Sequence, residues 1–453
     1  MITAKELATA LRPSLIRAPS VGPLKFRRAT VDSRKARRGD IFFALKGERV
    51  DGHEYVGHAA QRGAAGAVVA RELDVDIAQY VVPDPLKALH SVAWQRRTDR
   101  PKVKVIGVTG SVGKTTTKEL IAAVLSTRYN TLKSEGNLNS EIGMPLMLLE
   151  LTQRHRRAVL EMGMWAPGEI AFLCEIAEPD VGVVTNVGPS HLERMGSIEA
   201  IAKEKGDLPA ALPDDGVAVL NADDAIVAAM SDRTNANVIT YGVGADADVR
   251  AENIHSHGLA GVRFDLVHGD DREPVNLRLP GRVLVSNALA AAATALVDEM
   301  ELDEIAVALS ESRVQTRIAA HPGIRGALII DDTYNASPAS MHAALDLLGE
   351  VAGRKYAVLG DMRELGDAEA QGHRDVGRHA AEVADVIYAV GELGRGIGEA
   401  AIAAGHGDVH LVPDKRTIAT ALAPQLSDGD VVLLKASRAL ELETLVDELR
   451  EGA

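Results

Sequence analysis

The chain has 453 residues, 46% of them apolar but only 3% aromatic, and a formal net charge of −14. That length gives a prior of about three domains of ~150 residues, and the composition fits an α/β protein packed with valine, leucine, isoleucine and alanine. The negative charge argues against nucleic acid or an anionic membrane as partner, and the single cysteine excludes an intrachain disulfide.

Residues 1 to about 100 read as short strands and helices joined by polar turns, with a small amphipathic helix between residues 1 and 15. Three turns stand out: 31–34, containing Asp32-Ser33-Arg34, then 39–47, then Asp51-Gly52-His53. Each alone reads as a solvated loop. Together their serine, arginine and backbone donors could hold a phosphate or pyrophosphate. The polar run 96–101, ending in Pro101, places a first linker there.

An apolar run, 103–108, then leads into Thr109-Gly110-Ser111-Val112-Gly113-Lys114-Thr115-Thr116. Leu120, Ile121, Val124 and Leu125 follow on one helix face. Strand, glycine loop and helix in that order predict a phosphate-binding loop. Two glycines let backbone N–H groups approach a polyphosphate, and the helix N-terminus adds donors and a favourable dipole. Lys114 can reach the β- and γ-phosphates, and the Thr115 hydroxyl can hold Mg²⁺. The motif is a short form, G-x-x-G-K-T-T, with Val108 where longer loops carry a glycine. ATP binding is expected through Gly110, Ser111, Val112, Gly113, Lys114, Thr115 and Thr116; the plain alternative is a glycine turn with a chance lysine.

Further along, a polar loop at 134–143 contains Asn137, and a strand at 157–161 ends in Glu161. A carboxylate at the carboxyl edge of such a sheet is where Mg²⁺ is held, against a plain reading as a solvated turn residue. A strand at 181–187 runs into Gly188-Pro189-Ser190-His191, and its place at a strand end raises the weight of His191 over an ordinary loop histidine. Cys174, inside the apolar segment 170–174, reads as a core residue and not a reactive thiol. Lys205, in Ala202-Lys203-Glu204-Lys205-Gly206-Asp207, reads from composition as part of a solvated helical charge cluster. A strand at 217–220, antiparallel strands within 237–282 and an alanine-rich helix opening at Ser286 complete this part.

From about residue 316 the pattern resets. Strands at 327–330, 356–359, 386–390, 410–412 and 431–434 alternate with helices near 340–350, 373–383, 394–404, 415–426 and 440–451, which predicts a doubly wound parallel sheet. Polar groups follow three of its strands: Asp331-Asp332-Thr333-Tyr334-Asn335, Gly360-Asp361-Met362-Arg363-Glu364-Leu365-Gly366 and Lys435-Ala436-Ser437-Arg438. They make one edge into a cleft-facing one.

Taken together these residues resemble the Mur ligases, ATP-dependent enzymes that build the peptide stem of peptidoglycan, over essentially the whole chain. Gly136-Asn137-Leu138-Asn139, the stretch 331–341 and the stretch 359–366 look most like the branch that adds D-alanyl-D-alanine to a UDP-N-acetylmuramoyl tripeptide. The Asp-Asn-Pro-Arg motif typical of the branch adding the third residue does not occur.

The resemblance implies an α/β chain of three domains. They are a small mixed α/β N-terminal domain (1–100) for the UDP-sugar, a central P-loop parallel-sheet ATPase domain (101–315), and a Rossmann-like doubly wound C-terminal domain (316–453) that brings the amine and closes over ATP. It implies that Ser33 and Arg34 contact the UDP end, and that Lys114 binds the ATP phosphates. Thr115 and Glu161 would hold one Mg²⁺, with His191 by a second. Lys205 falls where the family carries a carbamylated lysine, whose anionic oxygens are the hard ligands Mg²⁺ prefers. Asn137 would sit near the transferred phosphate and Asn287 near the adenine, while Arg317 and Asp332 would close over the nucleotide. Two stretches depart from the family pattern: 282–286 lacks a frequent His-Asn pair, and Gln315-Thr316-Arg317-Ile318 replaces Pro-Gly-Arg-Leu.

The implied reaction proceeds through an acyl phosphate to a UDP-N-acetylmuramoyl pentapeptide. The rival readings are another amino-acid ligase of the same superfamily and a generic P-loop ATPase. With no charged-then-apolar leader and no apolar run near ~18 residues, a cytoplasmic protein without membrane insertion is expected; a monomer is expected alongside, though the sequence itself carries no sign of oligomeric state.

Overall fold

The computed structural model describes residues 1–19, 22–244 and 246–450. Its central sheet is built around the strand Lys104–Thr109, flanked by Val181–Val184 on one side and Arg157–Glu161 on the other, all parallel. Alternate residues of that strand enter different cores. Ile106 and Val108 face the helices Lys114–Ser126, Leu284–Leu296 and Leu302–Glu311. Val105 faces the helices Gly143–Leu149 and Glu169–Ala177. A parallel strand covered on both faces reads as the continuous apolar run seen in the sequence.

The sheet has nine strands. Thr131–Lys133 closes one edge, and Val217–Asn221 and Asn237–Gly242 extend the parallel part at the other. Val249–Ser256, Val262–His268 and Asp271–Leu277 then add an antiparallel meander. The expectation of antiparallel strands throughout 237–282 is therefore corrected for its first strand. Residues 222–236, with the short helix Ala225–Ala228, form a connection long enough for a crossover, and a crossover delivers a parallel strand. Residue 245, inside that region, lies outside the described residues.

The first hundred residues form a four-stranded parallel sheet, Ala29–Thr30, Ile41–Phe43, Gly66–Val69 and Ala78–Val81, with the helices Ala4–Leu11 and Pro85–Thr98. The amphipathic helix expected between residues 1 and 15 is the first of these, closed at its start by a Thr3–Glu6 capping box. Leu7, Phe26, Phe43, Leu89 and Val92 share one core with Val105, Met144 and Leu173 of the central unit. The polar run 96–101 is accordingly not a solvated linker. Arg96 and Arg97 are buried; Arg97 donates to the carbonyls of Ala177 and Glu178, and Arg96 to that of Met1.

The third sheet has the order Ala319–Pro322, Leu328–Asp331, Val431–Lys435, Lys355–Gly360, Val386–Val390, Val409–Val412, parallel except for its first pair. Ala357 and Leu359 face the helices Pro338–Glu350 and Glu369–Val383, while Tyr356 and Val358 face Ile418–Leu422 and Glu443–Leu449. Two covered faces make it doubly wound. The last helix ends at Leu449, and residue 451 of the expected helix 440–451 lies outside the described residues. Cys174 is buried, and its surroundings push the thiol up to about 12, which makes it the core residue its neighbours suggested. Among the described residues no helix is long and apolar enough to cross a membrane.

Candidate active site

The carboxyl ends of the central strands converge on the glycine loop. Register sets Glu161 opposite Val108 and Val184 opposite Thr109, so the loop leaves its strand between two polar strand ends. Gly110 runs at φ 149°, and a Cβ there would stand 1.8 Å from Thr185 Oγ1. Gly113, at φ 86°, faces Asn287, whose Nδ2 would be 2.6 Å from an added Cβ. Glycine is required at both places by contact as well as by dihedral. The strand-end residues Thr185 and Asn186 clamp the loop from one side. Thr185 Oγ1 and Asn186 Nδ2 both donate to the Val112 carbonyl, and the Val112 N–H donates to Asn186 Oδ1 at 2.8 Å.

At the start of the helix, Lys114 Nζ donates to the loop carbonyls of Gly110 (2.6 Å) and Ser111 (3.2 Å). Desolvation lowers its pKa, Glu161 opposes the fall, and the charge of Arg317 adds to it. Thr115 Oγ1 donates to Glu161 Oε2 at 2.9 Å, while Asn139 Nδ2 donates to Glu161 Oε1 at 2.8 Å. Glu161 is buried, so both its oxygens are held by short polar contacts at the sheet edge. The third unit reaches the same point: Arg317 stacks on Tyr334, 4.2 Å from the ring centroid, and donates from Nη2 to Thr115 Oγ1 at 3.0 Å.

Lys205 and His191 lie within electrostatic reach of Lys114. The solvated-face reading of Lys205 is overturned, because the helix Ile198–Lys205 turns Lys203 outward and Glu204 and Lys205 inward. Glu204 accepts from the N–H groups of Gly168 (2.7 Å) and Ile170 (2.8 Å), starting the helix Glu169–Ala177. Lys205 Nζ lies 3.7 Å from Met164 Sδ, and desolvation together with Lys114 pushes its pKa well below the ordinary lysine range. His191 sits at φ 58° on the loop after Val181–Val184, with Nδ1 2.6 Å from Glu364 Oε2 of the third unit. Burial lowers the imidazole's pKa, and Glu364 opposes that.

Other sequence-singled residues are placed differently. Asn287 is buried under the loop, donating to Thr117 Oγ1 (2.8 Å) and the Gly113 carbonyl (3.3 Å), so its side-chain amide braces the phosphate loop. Asp332 forms a buried ion pair with Lys435. Asn137 is exposed, and it is Asn139, two residues on, that contacts Glu161. In the first unit Ser33 Oγ meets His58 Nδ1 at 3.0 Å, whereas Arg34 is exposed and pairs with Asp32. His53 and Asp40 prove structural: His53 bridges Asp51 and the Ala70 N–H, and Asp40 accepts from Arg28 and the Arg37 N–H. The departing stretch 282–286 borders a cavity of about 350 Å³ lined by Arg282, Val283, Ala343, Asp346 and Glu350.

Three family profiles match the chain in order: the Mur ligase family catalytic domain at residues 25–109, the Mur ligase middle domain at 108–295, and the Mur ligase glutamate ligase domain at 313–438. A UDP-N-acetylmuramoyl-tripeptide–D-alanyl-D-alanine ligase of Escherichia coli (strain K12) is 37% identical over 437 residues, which cover 93% of each chain. The chain belongs to the Mur ligase family. Crystal structures of MurF from Acinetobacter baumannii and of MurF ligase from Thermotoga maritima in complex with ADP are similar along their length. The first gives a TM-score of 0.89 at 34% identity, covering 99% of this chain and 98% of that one; the second gives 0.81 at 31%, covering 93% and 96%. As a Mur ligase the protein is an ATP-dependent enzyme that forms a peptide bond. Glu364, Asn139, Thr185 and Asn186 are the residues of this Mur ligase site that sequence reasoning left without a role. Asn139 and Glu364 stood inside motifs already singled out, but nothing local marked which member of each motif would turn toward the centre.

Proposed function

We propose that this Mur ligase joins the amine of D-alanyl-D-alanine to the terminal carboxylate of a UDP-N-acetylmuramoyl tripeptide. The observation that carries the reading is the meeting of Lys114, Thr115, Glu161 and Arg317 at one strand edge, in a chain so similar to a ligase of that name. Residues 1–100 would hold the UDP end through Ser33 and Arg34, 101–315 the ATP, and 316–453 the amine. The setting we assign is the cytoplasm.

A carboxylate is a poor electrophile, so its oxygen attacks the γ-phosphorus, the bond to the β-phosphate oxygen breaks, and ADP leaves. Lys114 exchanges its loop carbonyls for phosphate oxygens, and Arg317 adds a second positive charge where two anions meet. The amine then attacks the acyl carbon, loses a proton, and phosphate departs. Asn137 would lie by the transferred phosphoryl group, with Asn287 and Asp332 holding the nucleotide side through the loop and the third unit.

The donor set fits Mg²⁺. Thr115 and Glu161 supply a hydroxyl and a carboxylate 2.9 Å apart, and the buried Ser190 Oγ next to His191 lacks a hydrogen-bond partner among the described residues. Among the described residues no three His, Cys, Asp or Glu side chains converge, and Mg²⁺ characteristically takes one or two carboxylates plus phosphate and water. Bound there it would neutralise the phosphate charge. A neutral Lys205 amine also fits carbamylation: it adds to CO₂ and releases one proton, giving a carbamate. A tripeptide carrying ¹⁸O in its terminal carboxylate tests the route. One ¹⁸O should appear in the released phosphate, and its absence would exclude the acyl phosphate.

A further inference from the structure

His191 and Glu364 both sit in the left-handed region, at φ 58° and 67°, and neither is glycine. Such conformations persist in non-glycine residues only where the surroundings impose them, and they cluster at functional sites. These two residues come from different units and hold each other, with His191 Nδ1 2.6 Å from Glu364 Oε2. The backbones are joined as well: the Glu193 N–H donates to the Glu364 carbonyl at 3.2 Å, and Gly366 packs on Glu193.

The loop that delivers Glu364 is fixed within its own unit. The Met362 N–H donates to His373 Nε2 at 3.0 Å, and the Arg363 N–H to Ser437 Oγ at 3.0 Å. Asp361 Oδ1 accepts from Leu393 and Gly394 at the start of the helix Gly391–Ala403. On the central side, Trp165 lies against the His191 ring with centroids 5.6 Å apart, and Arg194 stacks 4.0 Å from the Trp165 ring centroid. Among the described residues the imidazole thus has one carboxylate partner, and that partner belongs to the third unit.

We propose that Glu364 is a positioning residue that couples seating of the third unit to the readiness of His191. In the neutral ring a carboxylate at Nδ1 accepts the N–H there, so that Nε2 is the free nitrogen, and the contact fixes the ring plane. This is the outer-shell arrangement that prepares a histidine to face a cation. The inference rests on the ATP- and Mg²⁺-dependent reading of the site. It adds one specific contact to that reading: the His191 ring is held in a single orientation by Glu364 when the third unit is seated.

The test uses the full-length enzyme with Mn²⁺ in place of Mg²⁺, a non-hydrolysable ATP analogue and the UDP-N-acetylmuramoyl tripeptide. Mn²⁺ binding is read by electron paramagnetic resonance, and the His191 tautomer by ¹⁵N chemical shifts. Wild type should show the Nδ1–H form. Glu364→Ala should weaken the weaker Mn²⁺ site by roughly 10–100-fold, with ATP-analogue affinity nearly unchanged, and lose the single tautomer. Glu364→Asp keeps the charge but withdraws it by one methylene, and should behave like Ala. Glu364→Gln keeps a neutral acceptor, and should retain the tautomer and most of the affinity. Unchanged Mn²⁺ affinity and tautomer in both Ala and Asp variants, with only turnover reduced, would overturn the proposal and leave a simple tie between units. A wild-type enzyme that binds no Mn²⁺ beside the nucleotide would overturn both the proposal and the reading beneath it.

Discussion

Lys205 shows how far composition can mislead about a single residue. Four charged side chains within 203–207 suggest a solvated face, yet the helix turns Glu204 and Lys205 inward and only Lys203 outward. Local sequence could not reveal this, because the direction depends on Gly168 and Ile170, more than thirty residues away, taking Glu204 as their acceptor. Lys205 Nζ then lies beside a thioether, and desolvation keeps it neutral far below the pH at which an exposed lysine loses its proton. Between its folded pKa and the unfolded value of 10.5 the unfolded chain binds the extra proton, so this residue's contribution to stability rises with pH across that window. A neutral amine is also what CO₂ requires. Lys205→Ala should abolish ligation, and a short-chain carboxylate added at high concentration should restore part of it. Full activity in the unsupplemented variant would exclude the carbamate.

At the scale of elements, the phosphate loop was legible because strand, glycines and helix face followed one another without interruption. The structure adds what holds the loop in shape: Thr185 and Asn186 on the Val112 peptide, and Asn287 beneath Gly113. Those partners come from the end of another strand and from a helix 174 residues beyond Gly113, a distance no local pattern spans. Gly110→Ala would bring a methyl into Thr185 Oγ1 at a dihedral alanine resists, at a cost of roughly 1–3 kcal/mol or more. We expect a lowered thermal midpoint and loss of the stabilisation that ADP gives wild type. Gly136→Ala serves as the comparison: it is also at positive φ but has no atom within 4 Å of an added Cβ, so ADP should still stabilise that variant. Equal behaviour of the two would remove the steric argument.

The molecule as a whole is less divided than its sequence suggested. The run 96–101 looked like a linker because it is polar and ends in proline, but its buried arginines find backbone carbonyls and behave as interlocks, and the first unit shares a core with the central sheet. The third unit was legible as alternating strands and helices, since both its faces are covered and its central strands are largely apolar. How it docks was not legible. Arg317 on Thr115 and Glu364 on His191 are contacts across 202 and 173 residues, and they bring the third unit against the strand edge that carries the glycine loop.

The decisive measurement is phosphate release with ATP, Mg²⁺ and the UDP-N-acetylmuramoyl tripeptide, with and without D-alanyl-D-alanine, the product being weighed by mass spectrometry. Sustained release is expected only when both substrates are present, matched mole for mole by the pentapeptide. Release that ignores both substrates, or that is sustained by single amino acids in place of the dipeptide, would contradict that expectation.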